Sequence, residues 1–305
     1  MSFSQDVKNE LCHLPLQKTC CMKAELAGLL SFCGKMVTEQ GRAALRLRTE
    51  NAAVARRLYS LLKQLYRIRL DIVPGKHTGG ATAFTMKLTD ENHLNQILGR
   101  LGLMQGRLVR FGIDPFLVQE ECCARSYLRG AFLGGGSVSS PERSYHFEIE
   151  THYYGLSGAL MALMTDMEIP VGTVVRKSSY VTYIKDSEVI GDVLALMGAT
   201  DSMMELLNVK IVKDVKNTVN RRVNCETANL TKTANAAVQQ IRCIEKIFEK
   251  EGKSALPDGL RELAELRLEN PEASLAELGE MLTPPISKSG VNHRLKKLMR
   301  MAEEL

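Results

Sequence analysis

Three sets of residues in this chain carry side chains able to do chemistry. Two vicinal cysteine pairs, Cys20-Cys21 and Cys122-Cys123, offer four sulfurs of the kind that hold zinc. Two acids, Glu39 and Glu142, follow two similar apolar segments at comparable distances, and carboxylates are the ligands that hard divalent cations require. The third set is Ser287, Lys288, Ser289, Asn292, His293, Arg294, Lys296, Lys297 and Arg300, in a stretch with no acidic residue from Ser287 to Met301. Hydroxyl, amide and cationic groups gathered in this way suit phosphate oxygens and base edges.

An internal repeat could bring the two pairs near each other on a shared zinc, but the favoured reading is of small residues packing at helix starts. Structural zinc sites usually draw on cysteines two to four residues apart, and no such pair occurs among the eight. No metal and no cofactor are therefore expected. With 305 residues, 45% hydrophobic and 25% charged, the chain is long enough for two or three domains, each with its own core. The start "MSFSQDVKNELCHLPLQ" is polar, unlike a signal peptide, and no apolar run reaches the length of a membrane span. These features predict a cytoplasmic protein with reduced thiols, no membrane association and no evident small-molecule substrate. A net charge of +5 points weakly to an anionic partner, so the distribution of charge matters more than its sum.

The elements that position these groups come from an internal repeat. "CCMKAELAGLLSFCGKM" (20–36) is written again as "CCARSYLRGAFLGGGSV" (122–138), with Cys, Leu and Gly in register at a shift of 102. The shift continues through "RAALRLRT" (42–49) and "SYHFEIET" (144–151). In these strands Leu45 and Leu47 align with Phe147 and Ile149 on a buried face, and Arg46 and Arg48 align with Glu148 and Glu150 on the other. At a shift of 96, residues 83–102 match 179–198 as a strand, an Asp at a helix start, and a helix closed by glycine. Each repeat reads helix, strand, longer helix, strand, strand, helix. Small residues on the opening helices, Gly28 and Ser31 in one and Gly130 and Gly134 in the other, allow the two to meet backbone to backbone.

"LAGLLSFCG" (26–34) and "LRGAFLGGG" (128–136) resemble the paired LAGLIDADG motifs of homing endonucleases. The resemblance implies that the two helices form the seam of a pseudo-symmetric domain. It also implies that the last acid of each motif, which would hold metal over the scissile phosphates, falls at Cys33 and Gly135. Neither residue is a hard oxygen ligand, so loss of nuclease chemistry is expected. A metal-dependent endonuclease using Glu39 and Glu142 in their place is the enzymatic alternative. The strand faces differ in sign, with Arg42, Arg46 and Arg48 against His146, Glu148 and Glu150, and half of such a sheet would repel DNA. A protein partner for this domain, or a contact with the other domain, is an equal reading.

The C-terminal stretch predicts three helices. One runs from Asp258 to about Asn270 and stops at Pro271; a second begins with the capping-box pair Ser274 and Glu277; a third, after "TPPIS", sets Val291, Leu295 and Leu298 on one face. A trihelical unit whose last helix alone is basic outside is what a helix-turn-helix needs. Asn292 and His293 are the expected base readers, and Lys288, Lys296, Lys297 and Arg300 the expected phosphate contacts. Arg221, Arg222 and Lys232, before an expected helix at 234–250, are candidate secondary DNA contacts in what otherwise reads as a solvated linker.

A degenerate LAGLIDADG pair, then "NRRVNCETANLTKTANAA", then this terminal unit resembles the WhiA family over nearly the whole chain. The resemblance implies a bacterial transcriptional regulator without nuclease activity, acting on promoter DNA in the nucleoid and tied to cell division, chromosome segregation and, in sporulating relatives, sporulation. The expected architecture is α+β, a pseudo-symmetric two-repeat LAGLIDADG-like domain followed by a small all-α helix-turn-helix domain. Its divisions are an N-terminal segment (1–19), the repeat domain (20–214, repeats 20–115 and 122–214), a basic linker and helix (215–255), and the helix-turn-helix (256–305). Besides the nuclease, the competing reading is an interaction scaffold that contacts another regulatory protein, with incidental DNA contact.

Overall fold

The repeated segments fold as helices in which apolar and small residues occupy nearly every position, because each is enclosed on several sides rather than along one stripe. A computed structural model describes residues 2–16, 18–39, 41–76, 82–106 and 108–305, which divide into two units, 1–213 and 214–305.

The first unit opens with α1 (Phe3–His13), capped by Ser2, whose Phe3, Val7 and Leu11 recur at every fourth position and enter the core. The sequence reading left residues 1–19 without a role. Repeat one follows as α2 (Thr19–Cys33), β1 (Gly34–Glu39), β2 (Arg42–Thr49), α3 (Ala52–Tyr66), β3 (Val73–Lys76), β4 (Thr82–Leu88) and α4 (Glu91–Arg100). A short hairpin, β5 (Met104–Gln105) and β6 (Leu108–Val109), leads to repeat two. That repeat is α5 (Glu121–Gly135), β7 (Gly136–Val138), β8 (Phe147–Thr151), α6 (Tyr154–Asp166), β9 (Gly172–Arg176), β10 (Ser179–Ile184) and α7 (Ser187–Met197).

Each repeat builds an antiparallel four-stranded sheet, ordered β1-β2-β4-β3 and β7-β8-β10-β9. The first strand of each was not foreseen. Both leave the motif helix directly at a glycine in extended backbone and are edge strands, and β1 shows no clean alternation of buried and exposed residues. The alternation in β2 and β8 holds. Leu45 and Leu47 stand opposite Leu88 and Met86, and Phe147 stands opposite Ile184, all of them buried.

The two helical seams meet more closely than any side chain would permit. A Cβ on Gly28 would lie 2.4 Å from the Tyr127 carbonyl oxygen, and one on Gly130 would lie 2.1 Å from that of Glu25. Around this contact, Glu25 is buried at 2% exposure and tied by charge. Its carboxylate accepts from Arg57 of α3 at 2.6 and 3.0 Å and from Arg129 of α5 at 3.1 Å, and Arg129 also donates to the Met197 carbonyl at 2.7 Å. Charge-assisted pairs of this kind offset the desolvation of a carboxylate only because both oxygens are satisfied.

The sequence reading separates a basic linker from a helix beginning at Ala234. The chain instead forms one helix, α8 (Thr200–Glu251). Its first amides, those of Asp201 and Ser202, donate to the Glu10 carboxylate at 2.8 and 3.0 Å. Every residue from 214 to 236 is exposed, so this stretch has no buried face from which a helical period can be read. Thr218, Thr231 and Thr233 return their hydroxyls to the carbonyl four residues back at 2.8–2.9 Å, which lets β-branched polar residues sit within a helix.

In the second unit α8 contributes Ala237, Gln240, Ile244 and Ile247 to the interior. Val238, on the same helix, is 49% exposed. With α9 (Asp258–Glu269), α10 (Leu275–Met281) and α11 (Lys288–Glu303), α8 encloses a core of Leu260, Leu263, Leu278, Val291, Leu295 and Leu298. No helix among the described residues is long and apolar enough to cross a membrane.

Gly130→Ala should lower stability in chemical denaturation by about 3 kcal/mol, because backbone on both sides must separate. Gly158→Ala, at an exposed position of α6 with no atom within 4 Å of the added carbon, should be neutral or stabilising by a few tenths of a kcal/mol. Equal effects of the two substitutions would mean that the seam does not depend on close backbone approach.

Candidate nucleic-acid interface

Two places in the structure bear on nucleic acid. The first is a cleft of about 770 Å³ at the C-terminal ends of α2 and α5, lined by Lys35, Glu50, Gly135, Glu150 and His152 among others. It is where the motif acids would meet DNA and metal. Cys33 ends α2 beside this cleft as a thiol pushed up to about 12 by burial. A protonated thiol is no ligand for magnesium.

At the pseudo-equivalent position the backbone itself has closed in. A Cβ on Gly135 would lie 2.6 Å from the Glu150 carbonyl oxygen, so a carboxylate side chain has no room there without movement of β8. Lys8 of α1 reaches the same region. It donates to the Leu133 carbonyl at 3.3 Å and lies 5.7 Å from the centre of the Phe132 ring. Its enclosure lowers the ammonium from 10.5 to about 8.

Of the two substitute ligands, Glu39 is paired with Lys87 at 2.6 Å, and Glu142 stands exposed in the turn between β7 and β8. Among the described residues, no group of three or more metal-ligating side chains gathers at the cleft. The sheet faces differ in charge as the sequence suggested. Lys35, Arg46 and Lys87 share a cross-strand row in the first sheet. In the second, Glu148 accepts from Ser137 at 3.2 Å and Arg176 at 3.3 Å, with a His146 ring nitrogen 3.1 Å away.

The second place is the outer face of α11. α10 begins with a complete capping box: the Glu277 amide donates to Ser274 Oγ at 3.3 Å and the Ser274 amide to the Glu277 carboxylate at 2.7 Å. These bonds hold the Glu277 carboxyl below its usual range. The turn after α10 is fixed by the Ile286 amide, which donates to the Gly279 carbonyl at 3.0 Å, and by the Thr283 amide, which donates to Glu262 at 3.0 Å. Glycine is required at 279, because a Cβ there would lie 2.3 Å from the Ile286 carbonyl oxygen. Ser287 then caps α11, accepting from the Gly290 amide at 3.3 Å, with the Ser289 hydroxyl 2.9 Å away.

Val291, Leu295, Leu298 and Ala302 fix the rotation of α11 by their burial. Ser287, Lys288, Ser289, Asn292, His293, Lys296, Lys297 and Arg300 are all exposed as a result. Arg294, grouped with them from sequence, stands apart. It lies beside the buried stripe, half-buried, and its guanidinium donates to the Gly259 carbonyl at 3.0 Å, bracing α11 against α9.

A residue that the sequence reading passed over supports the whole arrangement. Arg267 of α9 is 1% exposed; it donates to Gln240 of α8 at 3.0 Å and to the Ala273 carbonyl at 2.7 Å. It therefore fixes the loop before α10. A charged residue inside an acidic, leucine-rich helix gives no signal of this in sequence. Arg221, Arg222 and Lys232 are exposed on α8, where eleven residues bring Arg221 and Lys232 back to nearly one face, and Arg222 is paired with Glu226 at 3.0 Å.

A two-repeat LAGLIDADG-like fold with Cys33 and Gly135 at its motif positions, carried on one chain with a C-terminal helical unit, defines the class. The WhiA N-terminal LAGLIDADG-like domain matches residues 19–104, the WhiA LAGLIDADG-like domain 124–216, and the WhiA C-terminal HTH domain 219–302. The chain belongs to the WhiA family. The probable cell division protein WhiA of Alkaliphilus metalliredigens (strain QYMF) is 41% identical over 99% of this chain and 98% of its own length. That of Alkaliphilus oremlandii (strain OhILAs) is 43% identical over 100% and 98%. Among solved structures, full-length DUF199/WhiA from Thermatoga maritima is similar with a TM-score of 0.61 and 29% identity, covering 100% of this chain and 99% of that one.

Lys8 supplies a test of how enclosed the cleft region is. Its folded pKa lies below its unfolded value, so between about 8 and 10.5 the unfolded chain binds more protons and stability from this group rises with pH. Lys8→Met should remove that rise. The difference in unfolding free energy between the two proteins should change by about 2 kcal/mol across that range, after discounting for partial solvent screening. A constant difference would show Lys8 to be solvated.

Proposed function

We propose that the chain is a sequence-specific double-stranded DNA-binding transcriptional regulator acting in cell division, with its repeat unit serving as a non-catalytic scaffold and platform for a protein partner. The observation that carries this reading is the outer face of α11, where eight exposed polar and basic residues sit on a capped helix held at fixed rotation by a buried apolar stripe. In the reading, Ser287, Ser289 and the first-turn amides take a phosphate, and Lys288, Lys296, Lys297 and Arg300 take further phosphates along the backbone. Asn292 and His293 face the base edges. Arg294 positions α11 through Gly259 and is removed from the contact set.

The repeat unit's part in the proposal rests on the closed position at Gly135 and the protonated thiol at Cys33. Metal-assisted phosphodiester cleavage needs carboxylates that fix the ions activating water, and the motif positions supply none. Arg221 and Lys232 on the exposed stretch of α8 are candidates for additional backbone contact. Promoter targets, nucleoid association and a role in chromosome segregation or sporulation are carried into the same proposal from the resemblance seen in the sequence.

The test is binding to genomic fragments over a range of salt, with magnesium present and the DNA checked for cuts. Lys296→Ala and Lys297→Ala should each weaken binding equally on matched and scrambled DNA and reduce the log–log salt slope by about one. Asn292→Ala should cost about 1–3 kcal/mol on matched DNA alone. Cleavage, or full affinity of a Lys288, Lys296, Lys297 triple alanine variant, would overturn the reading.

A further inference from the structure

The four cysteines taken from sequence as residues that merely pack at helix starts are brought to one point. The sulfurs of Cys20, Cys21, Cys122 and Cys123 all lie within 4.8 Å of one another, and those within each vicinal pair are 4.0 Å apart. We propose that they form a mononuclear tetrathiolate zinc site that fastens the two repeats together at the N-terminal end of their seam.

The geometry suits one small tetrahedral ion. Zinc–sulfur bonds of about 2.3 Å place the four sulfurs about 3.8 Å apart, so the vicinal pairs need a small contraction and the widest pairs one of up to about 1 Å, within reach of cysteine rotamer adjustment. An iron–sulfur cube, whose cysteines bind separate irons, needs a wider cage. Two pairwise disulfides would require sulfurs at about 2.05 Å, and the sulfurs within each vicinal pair stand at twice that distance.

Vicinal cysteines look wrong for zinc because adjacent residues diverge by about 100° around a helix. Here all four occupy the first turns of α2 and α5. Side chains on a helix tilt toward its N-terminus, so at the first turn adjacent side chains project past the end of the helix, where their directions can converge. The helix pair then supplies what C-x-x-C loops supply elsewhere, two ligands from each of two segments. Neither repeat completes the set alone.

Two helix N-termini face the cluster. α2 and α5 both begin without a side-chain cap, with Lys18 and Glu120 at the cap positions making no such bond. The positive ends of two helix dipoles are therefore directed at the cluster, opposing the net charge of −2 that one zinc and four thiolates carry. Binding exchanges four thiol protons, released to solvent, for one Zn²⁺. Access is graded from Cys123, which is buried, through half-buried Cys21 and Cys122, to exposed Cys20, so an ion enters from the Cys20 side.

The site is separate from the former nuclease chemistry. Cys20 and Cys33 are thirteen residues apart on one straight helix, which places the cluster about 20 Å from the cleft.

The full chain, purified with reductant and without chelator, should contain one zinc per chain by elemental analysis. Replacement by Co²⁺ should give sulfur-to-metal charge-transfer absorption and the visible bands of a tetrahedral ion. Cys122→Ser should reduce bound zinc to well under half, and Cys225→Ser, at an exposed position on α8, should leave it unchanged. Should Cys122→Ser fail to fold, the wild-type metal content and cobalt spectrum still decide the matter. The proposal is overturned by metal-free protein that takes up no cobalt into a tetrahedral site, by one iron per chain in place of zinc, or by a disulfide within the cluster in protein kept reduced.

Discussion

Everything in the repeat unit depends on two helices approaching until peptide groups touch. Gly28 and Gly130 permit that approach, and the neighbouring carbonyls occupy the space where their side chains would be. The geometry has electrical consequences as well as steric ones. With the helix axes so close, Glu25 on one helix comes within reach of Arg129 on the other, and a carboxylate at 2% exposure becomes tolerable because two guanidiniums saturate it. The same approach gathers four sulfurs at one end of the seam and sets Phe32 of α2 against Gly135 of α5 at the other.

The second unit achieves fixed geometry differently, through end groups. Its last three helices are short, and their directions are set by the Ser274–Glu277 box, by Ser287, by the glycine at 279 that lets the turn close, and by Arg267. Rotation of α11 is set by four buried residues. A recognition surface built on a helix held in this way presents its side chains with little reorganisation on binding.

Much of this was legible in the sequence, because the repeat doubled every signal. A glycine or a strand alternation seen once is weak, and seen again 102 residues later it is an element. The sheets' opposite charges and the exposed face of α11 were legible for the same kind of reason, since periodicity states which way a side chain points. Other features were not, the edge strands β1 and β7 among them. The run of α8 through 214–236 has no buried face, so its helicity left no period. Arg267 and Arg294 act through carbonyl groups whose positions depend on the tertiary fold. The convergence of the cysteines depends on how α2 and α5 cross, whereas sequence spacing reports only on ligands that share a loop.

The space above Gly135 makes the two motif positions unequal. An acid at 33 needs one substitution, but an acid at 135 would collide with the main chain of β8 before it met any ion. The pseudo-symmetry of the seam therefore stops at its end: one half tolerates a change of side chain, and the other tolerates it only together with a displaced strand.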